Sequence, residues 1–234
     1  MLKQKDIKIG CVLHPILFFT FFSLFLQQKI IYMKKVLVVV DVQKDFYHPD
    51  GALYVKGGEV LPQRIANVIP QFDDVFFTVD WHPYNHCSFI GNKDENGVEG
   101  TWPIHCVQYS EGASLPKEFI PFIREGLENW IGIEIQSKNV ISKGEVYLYE
   151  EYGADAIKLR TRFPTENCKY AECEVVFCGI ALSHCVKETV ANFIEDYPEI
   201  KCYVWLDGGV SIDDGTTIRE FMRENNIEEW KPQE

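Results

Sequence analysis

The runs VLVVV at 36–40 and VFFTV at 75–79 are too short and too β-branched for helices, and neither carries a polar stripe. Each is therefore read as a strand buried on both faces. Between them, Val60, Ile65, Val68 and Ile69 recur at helical spacing. Further on, 138–142, 175–178 and 202–206 read as short strands, and helical patterns at 183–195 and 216–224 follow the last two. Strands alternating with helices mean βαβ units, whose right-handed crossovers give a parallel sheet with helices on both faces. The expected fold is α/β, a three-layer sandwich with a mainly parallel central sheet flanked by helices. At 234 residues, 46% hydrophobic and 14% aromatic, the chain is long and apolar enough for one large core.

The polar residues that end these runs carry the functional signal. Asp41, Asp80 and Lys143 each follow a strand directly and Cys185 follows one closely, so a parallel sheet gathers all four at its carboxyl edge. The stretch VVFCGIALSHCVKETV at 175–190 reads as strand, sharp turn and helix, with Val186, Val190, Phe193 and Ile194 as the packing face. In the first turn of that helix Cys185 would meet unpaired N–H groups and the positive end of the dipole, which favour thiolate over thiol. An isolated cysteine in such a run is as a rule a small buried hydrophobe. The company of Asp41 and Lys143 makes this one a candidate nucleophile. A second cluster comes from DWHPYNHC at 80–87, which supplies Asp80, His82 and His86, and from His105 in TWPIHC. A carboxylate and imidazoles at D-x-H spacing suit Zn²⁺, Fe²⁺ or Mn²⁺, with positions open to water or substrate. The acidic, glycine-containing stretch 91–100 reads as a mobile loop.

The net charge of −12 argues against a nucleic-acid or anionic-membrane partner. Eight cysteines are scattered without a disulfide framework, which fits reduced, intracellular thiols. Residues 1–32 differ in kind: four lysines against one aspartate, and a long uncharged stretch containing HPILFFTFFSLFL. A signal peptide, a short membrane anchor and an upstream translation ahead of a working start at Met33 all fit such a segment. The domain is expected at 33–234, since MKKVLVVVD makes a natural first strand, and with Met33 as the start the protein would be cytoplasmic.

The ordered segments DVQKDF at 41–46, DWHPYNHCSF at 80–89, TWPIHCVQYSEGA at 101–113, SKG at 142–144 and GIALSHCV at 179–186 resemble the nicotinamidase/pyrazinamidase branch of the isochorismatase-like cysteine hydrolases. The resemblance implies that fold, and a catalytic triad of Asp41, Lys143 and Cys185. It also implies metal ligands Asp80, His82 and His105, with His86 a ligand in only some relatives, and one divalent metal, zinc ahead of iron or manganese. Phe46, Trp102 and Ile180 would line the substrate pocket, and a cis peptide at Ile180–Ala181 would turn the Ala181 N–H toward an oxyanion. The implied activity is hydrolysis of a linear amide, nicotinamide to nicotinate and ammonia, within NAD salvage and with pyrazinamide as a side substrate. Family members often self-associate, so a homo-oligomer is among the expectations, although no exposed apolar stripe demands one. One departure is clear. Where the family carries D-x-Y-S-x-F after the K-G pair, this chain has EVYLYEEYGAD, so Tyr149 and Tyr152 both stand as pocket candidates.

An amide needs an activated nucleophile, an oxyanion site and a proton for the departing ammonia. Asp41 would accept the thiol proton and return it to the leaving nitrogen; Cys185 would attack, with the Ala181 and Cys185 N–H groups holding the oxyanion. Water activated by Asp41 would then release the acid from a thioester. Lys143 should be protonated and poorly exposed between the two, and the metal would orient the ring. The rival readings are a hydrolase of another small amide and a catalytically silent binding protein on the same fold.

Overall fold

The computed structural model describes residues 33–124, 138–155 and 173–233. The competing readings of 1–32 lie outside the described residues. Within the described residues the chain runs β1 (Lys34–Val40), α1 (Lys44–Tyr47), α2 (Leu61–Val68), β2 (Asp74–Asp80), β3 (Val140–Lys143), β4 (Cys173–Ile180), α3 (Lys187–Asp196), β5 (Lys201–Val210), α4 (Thr216–Glu224) and β6 (Glu228–Glu229). The described strands form one all-parallel sheet in the order β3-β2-β1-β4-β5-β6. Strand order reverses between β1 and β4, and the crevice at such a reversal is where open α/β sheets place ligands.

The two-residue period of β1 sorts its side chains into two cores. Val36, Val38 and Val40 face Val186, Val190, Phe193 and Ile218 from the α3 and α4 side. Leu37 and Val39 face Leu61 and Ile65 of α2, together with Phe119 and Trp205. The sandwich is thus three-layered, with the sheet apolar on both sides. Among the described residues no helix is long and apolar enough to cross a membrane.

Several boundaries differ from the sequence reading. Asp80 and Lys143 are the last residues of β2 and β3 and pair with each other in register, so they end the ladder from inside it. The fourth strand begins at Cys173 and continues through Gly179 to Ile180, because Gly179, at φ +124°, lies against the Val40 backbone of β1 where a Cβ would collide. The helix expected from Ser183 opens with a π-helical turn, Leu182–Val186, before α3 begins at Lys187. Its cause is the Ala181 carbonyl, which accepts the N–H of Val186 five residues on (3.1 Å). The stretch 91–100 folds back on itself: Asp94 N–H donates to Val98 O (3.0 Å) and Gly100 N–H to Asn92 O (3.0 Å). Its acidic residues take part in this, since Asp94 Oδ1 also accepts the N–H groups of Asn96 and Val98.

Candidate active site and metal centre

Asp41 leaves β1 with φ +50°, in the left-handed region, which turns the chain off the sheet and leaves its carboxylate in the crevice. The side chain is fully buried; Thr78 Oγ1 donates to Oδ1 (2.6 Å) and Lys143 Nζ lies 2.8 Å from Oδ2. Lys143, also buried, joins Asp80 Oδ1 in a second ion pair and stands 3.8 Å from Cys185 Sγ. One carboxylate oxygen each of Asp41 and Asp80 and the sulfur of Cys185 all lie within 4.8 Å of one another. Residues far apart along the chain thus meet around a single ammonium.

The electrostatics separate the two carboxylates. Burial raises the Asp41 carboxyl to about 6; the negative charge of Asp80 adds to this, while Lys143 and the Thr78 hydroxyl oppose it. Burial acts on Asp80 too, but there the Lys143 ammonium and the imidazoles of His82 and His105 outweigh it and hold the group well below the usual carboxylate range. Desolvation works against the Lys143 ammonium, yet Asp41 and Asp80 keep its proton on far beyond the ordinary lysine value. Asp41 can therefore exchange a proton near neutrality and Asp80 stays ionised. Such a divergence assigns different roles to paired acids.

Cys185 differs from expectation. It sits in the π-turn, not in the first turn of the α-helix, and burial pushes its thiol well above the ordinary value, with Lys143 opposing and the two carboxylates reinforcing the shift. The resting group is a thiol. Its deprotonation must be driven by a neighbouring base at the moment of attack, and Asp41 is within reach.

On the other side of Asp80 lie two imidazoles. His82 Nδ1 is 3.0 Å from the Gly144 carbonyl and His105 Nδ1 is 2.7 Å from the Pro103 carbonyl. A carbonyl can only accept, so both Nδ1 atoms carry protons and each Nε2 is left to face Asp80 Oδ2, at 3.6 and 3.9 Å. Burial works against the His82 imidazolium but Asp80 outweighs it and raises its pKa, whereas burial lowers that of His105. Gly144 has φ +66°, and a Cβ there would strike the His82 ring. The three ligand atoms lie within 4.8 Å of one another on buried residues. One carboxylate and two imidazoles, each imidazole oriented by a backbone acceptor so that Nε2 faces the carboxylate, fit a divalent transition metal, which would take the place of any proton on those nitrogens. His86 is not brought into this set. Its Nε2 donates to Tyr149 O (3.1 Å), and its Nδ1 accepts from Ser88 Oγ (2.7 Å) and the Ser88 N–H (3.3 Å), so no lone pair is left over.

Between the two halves opens a pocket lined by Phe46, Trp102, Ile180, Ala181, Asp80, His105 and Cys185. The Ile180–Ala181 peptide is cis. Of the two tyrosine candidates, Tyr152 lines the pocket and its hydroxyl accepts a hydrogen bond from Trp102 Nε1 (3.0 Å), whereas Tyr149 contributes its carbonyl to His86 and exposes its ring. Glu150 and His184 also line the pocket without having been singled out in the sequence. Their positions carried a usable signal: Glu150 lies in the loop after β3, and His184 adjoins Cys185. Leu53, Val55 and Ile212 complete the wall and had none.

The fold is that of the isochorismatase-like hydrolases. No family model matches the chain. It is 38% identical over 206 residues to a nicotinamidase of Acinetobacter baylyi, an alignment covering 80% of this chain and 86% of that protein. Among solved structures it resembles PnC1 from L. infantum in complex with nicotinate, at 28% identity and TM-score 0.64 over 85% of this chain and 93% of that one. It also resembles a pyrazinamidase of Pyrococcus horikoshii in complex with zinc, at 26% identity and TM-score 0.61 over 85% and 99%. The chain belongs to the nicotinamidase/pyrazinamidase family.

Proposed function

We propose that the protein is a metal-dependent amidase that hydrolyses nicotinamide to nicotinate and ammonia through a thioester on Cys185. The observation that carries this reading is the position of Lys143, whose Nζ reaches Asp41, Asp80 and the Cys185 sulfur at once and so ties a nucleophile, a base and a metal ligand together. The nicotinate bound by the L. infantum relative and the zinc bound by the Pyrococcus horikoshii relative support the substrate and the metal.

Asp41 takes the thiol proton as the Cys185 sulfur adds to the carboxamide carbon, and the π electrons of the carbonyl move to oxygen. The N–H groups of Ala181 and Cys185 receive the oxyanion. When the tetrahedral species collapses, the C–N bond breaks, Asp41 returns the proton to nitrogen and ammonia leaves. Asp41, again a carboxylate, deprotonates a water that attacks the thioester; the C–S bond breaks, the sulfur recovers the proton and the acid departs. Throughout, Lys143 offsets the negative charge passing between sulfur and carboxylate. A divalent ion held by Asp80, His82 and His105, zinc first, would supply a Lewis acid for the pyridine nitrogen lone pair. Phe46 and Trp102 would flank the ring, and Tyr152 would hold Trp102 in place through its hydroxyl. Pyrazinamide offers the same ring size and carboxamide, so it is the expected second substrate, and the nicotinate formed would serve pyridine nucleotide salvage.

The test is ammonia release from nicotinamide by the full chain loaded with Zn²⁺, followed by acid quench and peptide mass spectrometry during turnover. A nicotinoyl group on Cys185 supports the mechanism. Turnover with the acyl group never found on Cys185, even when deacylation is slowed, removes the thioester, and no release from nicotinamide or pyrazinamide by folded, metal-loaded protein removes the activity.

A further inference from the structure

Gln43, the glutamine of DVQKDF, touches none of the atoms in the reaction above, yet it is fully buried and every polar atom of its side chain is engaged. Its Oε1 accepts the Asp80 N–H (2.7 Å). Its Nε2 donates to the Asp80 carbonyl (2.8 Å) and, with its second hydrogen, to the Ala113 carbonyl (2.9 Å). The orientation of the amide is thereby fixed, since reversing it would set donor against donor and acceptor against acceptor.

The sheet explains why these contacts exist. The β1–β2 ladder ends at Val40 and Thr78, with one further bond from Asp41 N–H to Thr78 O, because the positive φ of Asp41 carries the chain away. On its other edge β2 bonds β3 through alternate residues, as in Phe77 N–H to Asn139 O and Trp81 N–H to Lys143 O. The N–H and C=O of Asp80 therefore point to the side that β1 has left. There the Gln43 carboxamide presents one acceptor and one donor, as a peptide unit of a strand would.

We propose that Gln43 is a positioning residue for the metal site. Its side chain replaces the missing strand partner of Asp80 and so fixes the direction in which the Asp80 carboxylate leaves the sheet, with Oδ1 toward Lys143 and Oδ2 toward the Nε2 atoms of His82 and His105. The inference rests on the reading of Asp80, His82 and His105 as metal ligands. A ligand whose backbone can rock loses the convergence that three donors need, and outer partners of this kind typically contribute about 10–100-fold to metal affinity.

The experiment measures Zn²⁺ affinity of the full chain by competition with a chromophoric chelator, and the visible spectrum of the Co²⁺-loaded protein. Gln43→Met keeps the length and removes all three hydrogen bonds; Gln43→Asn keeps the amide but falls short of Asp80, and serves if the methionine variant does not fold. Asn139→Leu is the control for stability, since Asn139 makes a comparable clamp at the far end of β2, donating to Val75 O (3.0 Å) and Phe122 O (2.8 Å). The expected result is Zn²⁺ binding weakened about 10–100-fold with an altered Co²⁺ spectrum in the Gln43 variants, and wild-type binding in Asn139→Leu. Wild-type affinity and spectrum in the Gln43 variants overturn the inference, as does equal weakening in Asn139→Leu. A wild-type chain that binds neither ion overturns the metal-site reading itself, a separate outcome.

Discussion

The two halves of the site are held by different means. On the nucleophile side Asp41, Lys143 and Cys185 sit at or just beyond strand ends, and the opposite charges of Asp41 and Lys143 hold the first two together with the Cys185 thiol beside the same buried ammonium. On the metal side, His82 and His105 come from the loops between β2 and β3 and are aimed by backbone carbonyls, those of Gly144 and Pro103. Asp80 alone belongs to both, with one oxygen on Lys143 and the other on the histidines. The difference teaches that removing a charged group from the first half should damage chemistry and fold together, whereas removing a histidine from the second should damage positioning and leave the fold nearly intact.

The sharpest break of that contrast is at the nucleophile. Cys185→Ala should lower turnover by about 10⁴-fold or more without loss of folding, since only the sulfur is removed; steady-state ammonia assays beside circular dichroism read both. Lys143→Met comes next. It strands two buried carboxylates, so stability should fall by about 3–5 kcal/mol, read by urea denaturation, and turnover by several orders of magnitude. If Lys143→Met folds as stably as the parent, the claim that charge locks this half fails.

Much of this half was legible because a parallel sheet prints its strands as apolar runs, and the residues that end them must share a rim. The runs at 36–40 and 75–79 led to Asp41 and Asp80 at the crevice for that reason. Other features left no such print. The π-turn around Cys185 depends on which N–H the Ala181 carbonyl accepts, and no side-chain pattern records a shift of one residue in a hydrogen-bond ladder. The thiol's environment is equally invisible to dipole and N–H arguments, which omit the burial that dominates there. The two residues of β6 are exposed glutamates, which read as ordinary surface. Tyr152 and Tyr149 are alike in the sequence and differ only through the path of the loop after Gly144, which turns the Tyr152 ring inward and, of Tyr149, only the carbonyl.

The metal half gives the third prediction. Stripping the metal with a chelator should cost about 10²-fold or more in kcat/KM while the melting transition moves little, and added Zn²⁺ should restore activity. His105→Ala should mimic stripping at ordinary metal concentrations and recover in part at high Zn²⁺. Global unfolding on chelation would erase the contrast drawn above.

A smaller effect sharpens the nucleophile side again. Asp41 serves as the base only when ionised, and burial holds its carboxyl near 6, so kcat/KM should fall about tenfold per pH unit below that value and level off above it. Thr78→Val removes the hydroxyl that donates to Oδ1 and stabilises the ionised form, so the acid limb should move to higher pH with the plateau little changed. A limb that stays in place would separate Asp41 from the proton transfer.

The smallest expected effect is at His86, and it discriminates between proximity and ligation. Its ring lies tilted by 32° against that of His82 with centroids 4.0 Å apart, close enough to invite a role as fourth ligand. Both its nitrogens are occupied, however, and burial together with His82 pushes its pKa down to about 4, which keeps it neutral. Its work is to join Ser88 to the carbonyl of Tyr149, and so to brace the loop that follows β3. His86→Gln, which can still donate to that carbonyl, should change Zn²⁺ affinity less than about threefold, against the far larger loss expected for His105→Ala. A loss in His86→Gln as large as that in His105→Ala would mean that the ring swings from its carbonyl to the ion, and that the metal half is less fully pre-arranged than its two carbonyl-held histidines imply.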